Sequence, residues 1–223
     1  MRAAYDYGAD AVYAGSPRYS LRARNNEFAK LDVLEQGIKE AHERNKKFFL
    51  TVNTLPHNSK LKTFVADMEP LIAMKPDALI MADPGLIMTV REKWPEMPIH
   101  LSVQANTTNY WGVKFWQNIG VERIILSREL SMEEIAEIRQ ECPDIELEVF
   151  IHGALCIAYS GRCLLSGYFN HRDPNQGTCT NSCRWDYKVH NATESDAGDA
   201  QLLQGFNFEK AQEEANQNFE GIN

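Results

Sequence analysis

Six short apolar runs, each followed by an amphipathic stretch, set the first constraint on how this chain folds. The runs are AVYAG (11–15), KFFLTVN (47–53), ALIMAD (78–83), IHLSVQA (99–105), RIILS (123–127) and LEVFIHG (147–153). Between them stand LDVLEQGIKEAHERN, LKTFVADMEPLIAM, GLIMTVREKW, YWGVKFWQNIG and SMEEIAEIRQEC, which read as helices. A strand–helix pair recurring at a spacing of roughly two dozen residues implies parallel strands joined by right-handed crossovers. The runs are apolar throughout, as strands covered on both faces require. Six such units indicate an α/β chain with a (β/α) TIM-barrel-like architecture over residues 1–155. A full eight-unit barrel takes about 250 residues, the chain has 223, and its first pattern is helical. The barrel is therefore expected to be incomplete at both ends, with open edges that favour association. Ser131 and Glu134 carry the capping-box spacing, and Gly120 stands where a helix should stop.

The ends of the apolar runs are polar. Asn53, Asp83, Gln104, the trio Ser127-Arg128-Glu129 and His152 each fall at or just after a strand's C-terminal end. In a β/α barrel those ends ring one mouth, where active sites are built. Asn53, Asp83, Gln104 and Arg128 are thus candidate substrate contacts, and a guanidinium such as Arg128 suits a carboxylate or phosphate. For any one of these positions the plainer role is to cap the next helix.

Charge and composition narrow the class. The net charge of -8 argues against an extended nucleic-acid surface. Most of the excess acid lies beyond His190, where seven acidic residues face one lysine, and residues 190–223 read as an acidic, flexible tail with one helix around FEKAQEEANQNF. The body is closer to neutral and holds the basic stretch SPRYSLRAR, so a small RNA-docking patch stays open. No apolar run approaches the eighteen or so residues of a membrane span, and the start shows no secretory pattern. The expected location is the cytoplasm, where thiols stay reduced.

That compartment matters for residues 156–189, a Cys-rich segment without steady periodicity. Its spacing is Cys156-x6-Cys163-x15-Cys179-x3-Cys183. Four thiolates in one segment can close a zinc site or hold an iron–sulfur cluster, and the absence of tight C-x2-C knuckles leans toward iron–sulfur. A thiol nucleophile is the other reading, with His152 four residues before Cys156. Zinc-protease and serine-hydrolase motifs are missing. Cys142, in a helix tail, reads as structural.

The stretch EVFIHGALCIAYSGRCLLS (148–166) resembles the signature of peptidase family U32, met here by Glu148, Phe150, Gly153, Ala154, Cys156, Gly161, Cys163 and Ser166. YGADAVYAG, DALIMADPGL and HLSVQANT are similar to the family's barrel segments, and the likeness runs from about residue 3 to 189. Despite the family's name, the resemblance implies an oxygen-independent hydroxylase with a [4Fe–4S] cluster. Cys156, Cys163 and Cys179 match the family's ligands, and Cys183 is the candidate for the fourth. One branch forms 5-hydroxyuridine at the wobble position of tRNA with prephenate as co-substrate; others act on ribosomal RNA or ubiquinone precursors. In that setting Arg128 would hold a small carboxylate co-substrate, and His152 and Glu129 would handle protons. Arg18, Arg22, Arg24, Arg172 and Arg184 would meet phosphates around an unstacked base, as in an anticodon loop. The rival readings are a peptidase using Cys156 and His152, and a zinc-stabilised binding module. The family's opening strand and closing barrel strand have no counterpart here, so the expectation is a fragment.

Overall fold

A computed structural model describes residues 1–23, 26–153, 156–188 and 192–202. It divides into two compact units, Met1–Cys183 and Arg184–Asn223. Residues 156–183 fall within the first of these units.

The first unit opens with helix α1 (Arg2–Asp6). Strands β1 (Ala11–Gly15), β2 (Lys47–Val52), β3 (Ala78–Met81), β4 (Ile99–Leu101), β5 (Arg123–Ile125) and β6 (Glu146–Glu148) follow in turn. The helices between them are α2 (Leu31–Glu43), the pair α3 (Asn58–Leu61) and α4 (Phe64–Ala73), α5 (Pro84–Lys93), α6 (Tyr110–Asn118) and α7 (Met132–Glu141). All six strands are parallel and lie in sequence order, β1 through β6. Sequential order with right-handed crossovers puts every helix on one face. The sheet curls away from that layer into a half-barrel. Closure into a full barrel is not observed among the described residues, where β1 and β6 form the edges.

Period-two alternation sorts the strand side chains onto two faces. On the helix-covered face Phe48, Leu50, Leu79, Met81, Ile99, Leu101 and Ile124 join the main core. The opposite face carries Phe49, Ala78, Ile80 and Ile125. β2 and β3 are buried along nearly their whole length, as their uniform apolar sequence demands. α2 buries Leu34, Gly37, Ile38 and Ala41, one stripe of an amphipathic helix. Gly37 lets it approach closely, since a β-carbon there would lie 2.6 Å from the Phe28 ring.

Local signals set the helix ends. Asp83 caps α5 by accepting from the Leu86 amide, with Pro84 at the first helical position. Ser131 and Glu134 form both bonds of the expected capping box at the start of α7. α6 is followed by Gly120 at φ +82.

The sixth strand is shorter than its apolar run. β6 ends at Glu148, and Val149, Phe150 and Ile151 are exposed, Ile151 at 95%. Among the described residues no strand flanks β6 on its outer side, so there is no second ladder to hold these residues extended. Similarly, the run at 99–105 is a strand only to Leu101, after which Val103–Ala105 form a 3-10 turn.

In the second unit β7 (Ala192–Glu194) and β8 (Ala200–Leu202) form an antiparallel hairpin, where no strand was expected. Its turn is closed by the Ser195 amide donating to Asp199 O at 2.9 Å. The helix expected around FEKAQEEANQNF lies outside the described residues.

Candidate functional site

The C-terminal ends of the strands gather a polar cluster. Asn53 follows β2; its Oδ1 accepts from the Leu21 amide at 3.2 Å, and its Nδ2 donates to Ser102 Oγ after β4 at 3.2 Å. One side chain thus ties the loops after β1, β2 and β4. Asn106 sits at φ +53, a conformation asparagine tolerates, and donates to Ser127 Oγ at 3.1 Å and Glu129 Oε2 at 3.4 Å. Gln104 contributes backbone, its carbonyl facing Gly161.

Residues 156–183 form a strap over this mouth, built around α8 (Leu165–Asn170) and two 3-10 turns. On one side Ser160, 1% exposed, donates its amide to Glu129 Oε1 at 2.8 Å, and Arg128 Nη2 donates to Ser160 Oγ at 3.1 Å. Arg128 also lies 5.8 Å from the Phe150 ring centroid. On the other side the Leu55 amide donates to Asn175 O at 3.1 Å, and Lys60 Nζ to Gln176 Oε1 at 3.1 Å. Gln176 Nε2 donates to Leu55 O.

The expected site residues fare differently. Arg128 and Glu129 share Ser160, Asn53 bonds to Leu21 and Ser102, and the Gln104 carbonyl faces Gly161. Asp83 is engaged as the α5 cap. His152 is exposed on the stretch beyond β6. Arg18 is paired with Asp67 at 2.8 Å. Arg22, Arg172 and Arg184 are exposed, and Arg24 lies outside the described residues. Ser160 and Asn106 carry no local signal of their roles, because each acquires its role from a partner 21 to 32 residues away.

All five cysteines are free. Cys142 is buried at the end of α7, its thiol pushed up by burial, and donates to Tyr110 O at 3.7 Å, as a structural residue should. Cys156 and Cys179 are exposed, and Cys163 and Cys183 half-buried. Cys179 Sγ accepts from the Asn181 amide at 3.3 Å. Free, solvent-reachable thiols on one strap, one already receiving an N–H, have the donor chemistry of an iron–sulfur ligand set. Among the described residues no three Cys, His, Asp or Glu side chains converge on a point that could hold a metal ion.

A second polar group lies on the inner face of the sheet, below the mouth. His100 on β4 is 6% exposed, packs edge-on against Phe49 at 4.7 Å, and has no partner at Nδ1. Burial and the neighbouring Arg123 lower its pKa to about 4. Arg123 itself pairs with Glu146 at 2.7 Å and Glu148 at 3.2 Å.

Comparison with known proteins supplies the context. The sequence profile of peptidase family U32 matches residues 1–219. The chain is 68% identical over 198 residues to the tRNA hydroxylation protein P of Haemophilus influenzae, covering 89% of this chain and 43% of that protein. It is 67% identical over 198 residues to the Escherichia coli protein of that name, covering 89% of this chain and 44% of that protein. The chain thus spans less than half the length of these relatives. The solved structure of the U32 peptidase Mk0906 matches with a TM-score of 0.53 at 16% identity, over 64% of this chain and 60% of that one. At that identity the likeness concerns the fold.

Proposed function

This chain belongs to peptidase family U32, and from that premise we propose that it works in RNA hydroxylation, modifying a wobble uridine of tRNA through a [4Fe–4S] cluster with prephenate as co-substrate. The observation that carries the reading is the Ser160 bridge, which joins the thiol-bearing strap to the polar mouth through Arg128 and Glu129. The half-barrel would be one wall of a TIM-like barrel, with the site where such barrels place it. The names of the relatives supply the substrate class. A tRNA substrate would place this work in the cytoplasm.

Cys156, Cys163, Cys179 and Cys183 would hold the cluster, which would supply electron transfer. The strap would draw its thiols together on loading. Arg128 has one nitrogen on Ser160 and further donors for a carboxylate, in the planar geometry that two-pronged recognition needs. Glu129, fixed by Ser160 and Asn106, would accept a proton at Oε2. Asn53 and Gln104 would shape the floor against which a base rests, and His152 would meet substrate from the exposed stretch beyond β6. Arg22 and Arg172 would contact phosphates. A thiol peptidase would need His152 to engage Cys156; both side chains are exposed.

The test is anaerobic purification followed by a visible spectrum and iron, sulfide and zinc analysis, with Cys163→Ala beside the parent. About four irons and four sulfides, lost in the variant, are expected. Hydroxyuridine should disappear from tRNA of a deletion strain. One zinc and no colour would replace the reading with a structural metal site, and a metal-free protein inactivated by alkylation would favour the peptidase.

A further inference from the structure

Behind Cys179 lies a directional chain of hydroxyl groups. Ser166, in the first turn of α8, is 1% exposed. Its Oγ accepts from the Thr180 amide at 3.1 Å and from Thr180 Oγ1 at 3.1 Å. A hydroxyl has two lone pairs and one proton. With both acceptor positions taken, the Ser166 proton is left for Cys179 Sγ, 3.8 Å away. Thr180 is fixed in turn: Asn170 Nδ2 donates to its Oγ1 at 2.9 Å, and Ser182 Oγ lies 2.8 Å from the same atom. Since the Thr180 proton is directed to Ser166, Ser182 donates in that contact.

The order is therefore Asn170 to Thr180 to Ser166 to sulfur. The Asn181 amide reaches the sulfur from another side at 3.3 Å, placed there by φ +54 at Asn181. When Cys179 carries its own proton, Asn181 Oδ1 at 3.8 Å can receive it. Two donors aimed at one sulfur are the surroundings a metal-bound thiolate needs.

We propose that Ser166 is a positioning residue, holding Cys179 as the pre-oriented ligand of the strap and raising the reduction potential of the metal centre it binds. This rests on the cluster reading. Hydrogen bonds donated to a ligand sulfur disperse its negative charge, which favours the reduced cluster. Thr180 acts one step further back, by denying Ser166 any other acceptor.

The test compares parent, Ser166→Ala and Thr180→Val after anaerobic reconstitution with iron and sulfide. Two quantities are read: the midpoint potential of the cluster, and, in cluster-free protein, iodoacetamide labelling of Cys179 relative to Cys156 by peptide mass spectrometry. The expected result is a more negative potential in Ser166→Ala, a smaller shift of the same sign in Thr180→Val, and a several-fold change in the Cys179 to Cys156 labelling ratio in Ser166→Ala. Circular dichroism should match the parent, and Thr180→Val, which leaves Ser166 in place, guards against a misfolded Ser166→Ala. Unchanged potential and labelling in both variants would overturn the role of Ser166 while leaving the cluster in place. A parent that takes up no iron would overturn the cluster reading, and the labelling ratio alone would then decide whether Ser166 positions Cys179.

Discussion

Gly161 lies against the backbone carbonyl of Gln104 with no room for a side chain between them. The glycine also sits at φ +73, which other residues adopt only at a cost. Gly161→Ala should therefore lift the strap from the mouth, through strain of about 1–3 kcal/mol plus the steric clash. Limited proteolysis is the check. Cleavage near residue 161 should accelerate while the far-ultraviolet spectrum of the half-barrel stays unchanged.

Glu129 accepts the buried Ser160 amide, so its removal leaves that donor unpaired. Glu129→Ala should cost about 1–3 kcal/mol of local stability. Glu129→Gln keeps an acceptor and should cost less. Hydrogen exchange at Ser160 reads both, and protection in the alanine variant should fall by about tenfold or more.

His100 makes stability depend on pH. Its pKa is about 4 in the folded chain because of burial and then Arg123, against an ordinary value of 6.5. Above 6.5 neither state binds the proton and nothing is lost. As pH falls from 6.5 toward 4 the unfolded chain takes up the proton first, so folding weakens by up to about 3 kcal/mol. Urea midpoints at pH 7 and pH 4.5 test this: His100→Leu should lose less stability between them than the parent.

Ser131→Ala removes a hydroxyl that accepts from the Glu134 amide at 3.3 Å. A loss of about 1 kcal/mol is expected, seen as a melting temperature lower by roughly 2–4 °C for a chain of this size.

The residues that were legible in the sequence obey local rules. β2 and β3 announce themselves because both their faces are covered, so the apolar run and the strand coincide. Ser131 needs only Glu134, three residues on. The run ending in Val149-Phe150-Ile151 misled for the complementary reason: apolar character marks what could be buried, and an edge position supplies no partner to bury it. Asp83 satisfied the mouth pattern and the capping pattern at once, and the structure shows the cap. The Ser160–Glu129 and Gln176–Leu55 contacts join residues far apart in the chain, and no periodicity carries such pairings. The motif identified the thiols as a group, while the docking of the strap that carries them depends on bonds to loops elsewhere.

The strap is tied at both ends to different loops. Asn175 and Gln176 meet the loop after β2, and a β-carbon on Gly177 would lie 2.7 Å from Ser20 O in the loop after β1. Ser160 and Gly161 meet the loops after β5 and β4. Across the arc of the sheet it works like the string of a bow. Opening the arc stretches the string, and gathering the string draws in the arc. Whatever pulls the thiols toward one another would load those ties, and through them the ends of the strands beneath.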